Sequence, residues 1–280
     1  SNNNDLQVTS VAATLNGTNQ GYTVTDDASL NFNTSASFSL EGWVKTSASG
    51  SFQRVMVKDA ASLDGGMQYS LAIDANGKVD FRFNRDSDDT AVSLQSEETV
   101  NDGGWHHVAA VYDNANDLIS IYVDGILSTT LSTTDVPKQD SGNLGIGYAI
   151  DQGGSTPGQY FNGQLDDLRI WNTARTAEQI AANFQTTLTG TQSGALVANY
   201  TFEDSTGNDS AGSNNGSAVG TPTYSLANHP NSAAGPTYSD GGLDLLANSI
   251  AINEDTTATG TMTASDVVGT ASNSVTSAAQ

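Results

Sequence analysis

Acids are the residues of this 280-residue chain best equipped for chemistry. Asp and Glu number 31 against 9 Lys and Arg, a formal net charge of -22, and 25 of the 31 are Asp. Asp holds a hard oxygen close to the backbone, which suits tight turns and the oxygen shell of a calcium ion. Divalent cations are therefore the natural counter-ions, and the competing reading is an acidic surface that only solvates the fold. Asp86-Ser87-Asp88-Asp89 has calcium-like spacing. It lacks the Gly and distal Glu of an EF-hand loop, so it reads as a solvated hairpin tip. Asp166 and Asp167 are adjacent, and strand alternation would point them to opposite faces. One of them could hold a metal; the other reading is a solvent-facing acid paired with Arg169.

The same composition excludes several chemistries. Nine scattered bases cannot neutralise a phosphate backbone or hold an anionic membrane surface. With no cysteine there is no disulfide scaffold, thiol catalysis or Cys-type zinc site. No apolar run approaches the ~20 residues of a membrane helix. A retaining pair of carboxylates must stand about 5–5.5 Å apart. Glu97 and Glu98 are neighbours that alternation sends to opposite faces. There is no His-x-x-x-His, nucleophile elbow or phosphate loop. The chain reads as a binding module and not an enzyme. His106 and His107 also face opposite sides of a strand, and Trp43, Trp105 and Trp171 read as packing residues.

Short strands must position these groups. Alternating runs cover 39–44, 54–58, 69–74, 78–85, 105–113, 118–123, 125–131 and 195–202, with hairpin turns at Asn76-Gly77 and Asp124-Gly125. One helix is expected over 176–184. Thr176 and Gln179 form a capping box, and Ala177, Ile180, Ala181 and Phe184 lie on one face. The spacing predicts an all-β antiparallel sandwich of two sheets with one short helix, running to about residue 205.

Phe161-Asn162-Gly163-Gln164-Leu165-Asp166-Asp167-Leu168-Arg169-Ile170-Trp171-Asn172 closely resembles the late strand of laminin-G-like and pentraxin-like jelly rolls of the concanavalin A-like class. Three further motifs resemble that family in order: Phe38-Ser39-Leu40-Glu41-Gly42-Trp43-Val44, Trp105-His106-His107-Val108-Ala109 and Ile121-Tyr122-Val123-Asp124-Gly125. Leu15-Asn16-Gly17 with Tyr22-Thr23-Val24 resembles the opening strand.

The resemblance implies a jelly roll that binds sugars through calcium. Transferred onto this chain, the early-loop acid is Asp64, the late-loop acid Asp151 and the distal amide Gln159. Ala149 and Ile150 stand where pentraxins carry two more oxygen donors, so one ion is expected rather than two. Asp166 or Asp167 would face a structural calcium near Asn16-Gly17. A sugar-stacking platform would come from Tyr148, Tyr160 or Tyr69. The family's glucanases carry a Glu-x-Asp-x-Glu triplet that this chain lacks.

Residues 1–220 are thus expected to form the jelly-roll domain, with a Ser/Thr/Gly/Pro-rich linker over 221–248. The segment beginning Ser249-Ile250-Ala251-Ile252-Asn253-Glu254-Asp255 resembles the opening of cadherin-like repeats in bacterial surface adhesins. The start, Ser1-Asn2-Asn3-Asn4-Asp5, carries no signal peptide and reads like a piece of something longer. The expected whole is a calcium-dependent lectin module, monomeric within a longer extracellular, cell-surface chain, with glycans or polysaccharides as partners. A sugar-free protein–protein adhesion module and a non-catalytic accessory domain of a secreted hydrolase are the alternatives.

Overall fold

A computed structural model of the protein describes residues 10–59, 66–139, 141–150, 157–188, 192–227, 229, 243–244 and 251–252. The main compact unit is Ser10–Ser232. Its strands are β1 (Ser10–Asn16), β2 (Gly21–Val24), β3 (Phe38–Lys45), β4 (Gln53–Asp59), β5 (Met67–Ile73), β6 (Lys78–Asn84), β7 (Ala91–Thr99), β8 (Trp105–Asp113), β9 (Leu118–Val123), β10 (Ile126–Ser132), β11 (Leu144–Ile146), β12 (Asn162–Trp171), β13 (Leu196–Tyr200), β14 (Gly216–Val219) and β15 (Thr223–Ala227). One helix, α1 (Ala177–Asn183), lies between β12 and β13. A second unit comprises Ser1–Thr9 and Ala233–Gln280. Its described part is a pair of two-residue antiparallel strands, β16 (Leu243–Asp244) and β17 (Ala251–Ile252). The rest of the segment expected as a cadherin-like repeat lies outside the described residues. No described helix is long and apolar enough to cross a membrane.

The main unit is a two-sheet antiparallel sandwich, as expected. One sheet runs β10-β9-β8-β3-β12-β1-β15, with β13 also on β12; the other runs β14-β2-β11-β4-β5-β6-β7. Alternation fills the space between them. Val79, Phe81 and Phe83 of β6 enter the core with Leu40 and Val44 of β3 and Leu165, Leu168 and Ile170 of β12. Phe38 is the hub of an aromatic cluster, stacked on Phe32 at 4.7 Å and touching Tyr69 and Tyr112, each at 5.4 Å. Tyr69 is fully buried here, so its ring belongs to the core and not to a sugar platform. Both expected hairpin turns form, with Gly77 at φ +87 and Asp124 and Gly125 at +51 and +77. The helix also forms, capped by Thr176 with Gln179 in a reciprocal box. Of its expected apolar face, Ile180 is buried, on Ala109, Val111 and Tyr122.

Two departures from the expected pattern matter for function. First, β12 carries a bulge. Asp166 pairs with Trp43 and Arg169 with Glu41, so three steps on β12 oppose two on β3. Asp167 takes the extra position at φ +45. The two acids therefore do not alternate: both turn to the face away from the core, while Leu165 and Leu168 keep their inward register. Second, part of the segment expected as a linker is a strand. β15 pairs with β1 from Thr14↔Thr223 to Ser10↔Ala227, and the chain then delivers His229 to a buried position. Pro222 lies just before this edge strand, where a missing N–H costs no ladder bond.

Candidate functional site on the seven-stranded sheet

Because odd residues of β6 fill the core, even ones face outward. Asp80 and Arg82 stand beside Ser70 of β5 and Ser93 and Gln95 of β7. The Asp80 carboxylate gathers this row. It accepts from Arg82 Nε at 2.5 Å and Nη2 at 3.1 Å, Ser93 Oγ at 3.3 Å and Gln95 Nε2 at 3.2 Å. Arg54 of β4 reaches the same face and donates to Ser70 Oγ at 2.6 Å. Both guanidiniums approach the Phe52 ring, with Arg82 Cζ 4.4 Å and Arg54 Cζ 5.6 Å from its centre. Burial lowers Arg54 to about 10, with the like charge of Arg82 adding to the effect and Asp80 and Asp59 opposing it.

The expected ligand residues meet this row at Gln159. Its Oε1 accepts from Arg54 Nε at 2.7 Å and its carbonyl from Arg54 N–H at 3.0 Å, with the backbone at φ +50. Tyr160 follows and stacks on Tyr148, ring centres 5.4 Å apart and planes 6° from parallel. Tyr148 is 3% exposed and shares a hydrogen bond with Thr23 Oγ1 at 2.6 Å. Half-buried Tyr160 is thus the outward ring and Tyr148 its support. Asp64 and Asp151 lie outside the described residues. Among the described residues no group of three or more His, Asp or Glu is placed to hold a metal. A Gln carbonyl oxygen keeps a second lone pair for a cation. The adjacent guanidinium opposes one, so the described residues do not by themselves make a calcium site.

Asp166 belongs to a different network, on the outer face of the eight-stranded sheet. Leu165 pairs with Ala13 and Asn162 with Asn16, which places Asp166 beyond Leu165 and away from the Asn16-Gly17 turn. Its Oδ2 accepts from Ser10 Oγ at 2.7 Å and lies 2.8 Å from His229 Nε2, and its Oδ1 accepts from Asp167 N–H at 2.8 Å. Those three bonds make Asp166 a structural acid. Ser10, His229 and Asp166 are the residue types of a hydrolytic triad. A relay needs Ser and Asp on opposite ring nitrogens, whereas Ser10 and Asp166 both meet Nε2, at 3.5 and 2.8 Å. Burial raises Asp166 and Asp167 to about 7 and lowers His229 to about 4, so both partners of the Asp166–His229 contact are pushed toward their neutral forms. His229 itself is stacked on Trp43 at 4.7 Å and edge-on to Trp105 at 5.0 Å.

The rest of that face explains the most family-like motif in the chain. Arg169 lies 3.5 Å from Glu41 and 3.6 Å from Asp167, and donates to the carbonyls of Asn183 and Thr186 at 3.2 and 2.7 Å. Trp171 Nε1 donates to Glu41 at 2.9 Å, and Trp43 Nε1 to the Phe184 carbonyl at 3.1 Å. The acids, Arg169 and the two tryptophans together clamp α1 and the segment after it onto the sheet. His107 is buried 3.8 Å from Glu41, and partly exposed His106 sits between Asp124 and Asp102. Asp86–Asp89 is the β6–β7 hairpin tip: Asp88 accepts from Thr90 and Asp89 pairs with Lys138 at 2.9 Å.

Sequence reasoning missed Arg54, Arg82 and Phe52. A usable signal was present: Arg54 and Arg82 are two of only nine bases, and both lie within alternating strand runs.

Residues 16–181 match the family model of the concanavalin A-like lectin/glucanases superfamily, laminin-G type. The chain belongs to this superfamily. A rat protein, "Sushi, von Willebrand factor type A, EGF and pentraxin domain-containing protein 1", is 30% identical over 86 residues, 29% of this chain and 2% of that protein's length. Among solved structures, a candidate carbohydrate binding protein from Bacteroides ovatus superposes with a TM-score of 0.62 at 18% identity, covering 79% of this chain and 61% of that one. The CBM40 of Ruminococcus gnavus IT-sialidase, bound to α2,3-sialyllactose, superposes at 0.53 and 15% identity, covering 61% and 96%. At these identities the superpositions show a shared fold.

Proposed function

We propose that this chain is a non-catalytic glycan-binding module of an extracellular, cell-surface protein. The observation that carries the reading is the outer face of the seven-stranded sheet. It presents the partly exposed Arg82 and Gln159, oriented by Arg54 and by the buried Ser70 and Asp80 beneath them, and ends at the outward ring of Tyr160. A few fixed polar groups beside an aromatic ring are what a sugar requires, because its hydroxyls bind weakly one by one. Support comes from the superfamily and from neighbours whose names describe carbohydrate binding and a sialyllactose complex. Calcium is the finer part of the reading. Asp64 and Asp151 follow β4 and β11 in sequence and, with Gln159, would supply the protein's oxygens; sugar hydroxyls would complete the shell of 6–8.

A glycan array read with calcium and with chelator tests both parts. Binding that vanishes in chelator supports the calcium-dependent form, and binding that persists removes calcium from it. Failure on every glycan favours a protein–protein adhesion module. On a glycan that binds, Asp151→Asn is expected to abolish calcium and sugar binding without unfolding the sandwich, while Asp88→Asn leaves both intact. The reverse pattern would put the site on the β6–β7 tip.

A further inference from the structure

Arg54 is only 9% exposed, yet no carboxylate lies within 4 Å of it among the described residues. Its Nε and Nη1 bond neutral oxygens, of Gln159 and Ser70, and among the described residues its Nη2 has no hydrogen-bond partner. Its nearest cationic neighbour is another arginine: Arg82 lies on the same face, and both guanidiniums approach the Phe52 ring. Asp80 pairs with Arg82, and Asp59 offsets part of the Arg54 charge from a distance, so what Arg54 lacks is a carboxylate in contact. A nearly buried guanidinium bonded only to neutral oxygens, with a second arginine on the same face, is costly unless an anion joins it. The 29% exposure of Arg82 keeps the cluster open to solvent.

Resting on the glycan-binding reading, we propose that Arg54, Phe52 and Arg82 form a carboxylate subsite, and that the ligand is an acidic glycan carrying a uronate or sialate group. Arg82 spends Nε and Nη2 on Asp80 and Arg54 spends Nε and Nη1 on Gln159 and Ser70, so a carboxylate would meet Arg82 Nη1 and Arg54 Nη2. Phe52 holds them in place, and a sugar ring next to the carboxylate would lie toward Gln159 and Tyr160.

The test uses the full chain on an array of acidic glycans and their neutral counterparts, including polygalacturonate against its methyl ester and sialyllactose against lactose. Each is read with calcium and with chelator, at low and high salt, with poly-glutamate as a further probe. Acidic members are expected to bind at least tenfold more tightly in calcium, with a preference that salt weakens and that persists in chelator wherever binding itself does. Arg82→Gln and Arg54→Lys should remove that preference while the melting midpoint stays within a few degrees. If Arg54→Lys fails to fold, Arg82→Gln alone decides. Equal binding of neutral and acidic members, or a preference that survives Arg82→Gln, overturns the subsite and leaves the glycan reading standing. Poly-glutamate binding as tightly as any glycan, or no glycan binding at all, overturns both.

Discussion

Removing the Arg169 guanidinium would strand Glu41, 1% exposed, and release two carbonyls beyond β12. Burial raises Glu41, but Arg169, His107 and Arg175 together bring it below the usual glutamate range, so it is the ionised partner. Arg169→Met is expected to cost about 3–5 kcal/mol by denaturant titration. Combining it with Glu41→Gln should cost less than that single change. Asp167 behaves oppositely, because burial outweighs Arg169 and raises it to about 7. A carboxyl raised in the folded state contributes stability that is full below its unfolded value of about 4 and fades as pH rises through about 7. Asp167→Asn should therefore gain on the parent between pH 4 and 7 and hold the gain above, by on the order of 2–4 kcal/mol at most. Titrations at pH 5 and pH 8 that differ from the parent by the same amount would rule this out. Gly163 is constrained by geometry: at φ +149, an added Cβ would sit 2.0 Å from the Lys45 carbonyl oxygen. Gly163→Ala is expected to cost about 1–3 kcal/mol in the same assay.

At the scale of elements, alternation and turn chemistry carried most of the reading. Strands β3, β5, β6, β8 and β9, both Gly turns and the Thr176 cap lie where the residues say, because each has a strong local period or a fixed backbone demand. β7 escaped notice because it is an exposed edge strand whose Ser, Gln and Glu residues show little apolar alternation. β14 and β15 are short, and their pairing with β2 and β1 is set by partners some 200 residues earlier. The bulge at Asp167 is invisible to a period-2 reading, which sends Asp166 and Asp167 to opposite faces. β15 and His229 act as a strap over the eight-stranded sheet. His229→Ala should open a cavity between Trp43 and Trp105, red-shift tryptophan emission and lower the melting midpoint. Unchanged emission would mean that the strap is not seated in solution.

Over the whole molecule the charge imbalance is the largest lever. With 31 acids and 9 bases, self-repulsion opposes compaction, so added salt should raise the melting midpoint. Calcium at a hundredfold excess over its dissociation constant would add about 2.7 kcal/mol if the proposed site forms, and equimolar magnesium much less. Equal shifts with both ions would mean screening alone. The pairing of β1 with β15 has a mechanical meaning. Ser10 lies opposite Ala227, so the two chain ends leave the sandwich side by side from the same end of an antiparallel pair. A pull between those ends loads the ladder as a zipper, one rung after another, and not in shear across all rungs at once. The first resistance it meets is the ring of His229 wedged between two indoles, just past the last rung. Under tension the module would yield first by a small, reversible lengthening at this strap, while the seven-stranded sheet on the other side of the core stays folded.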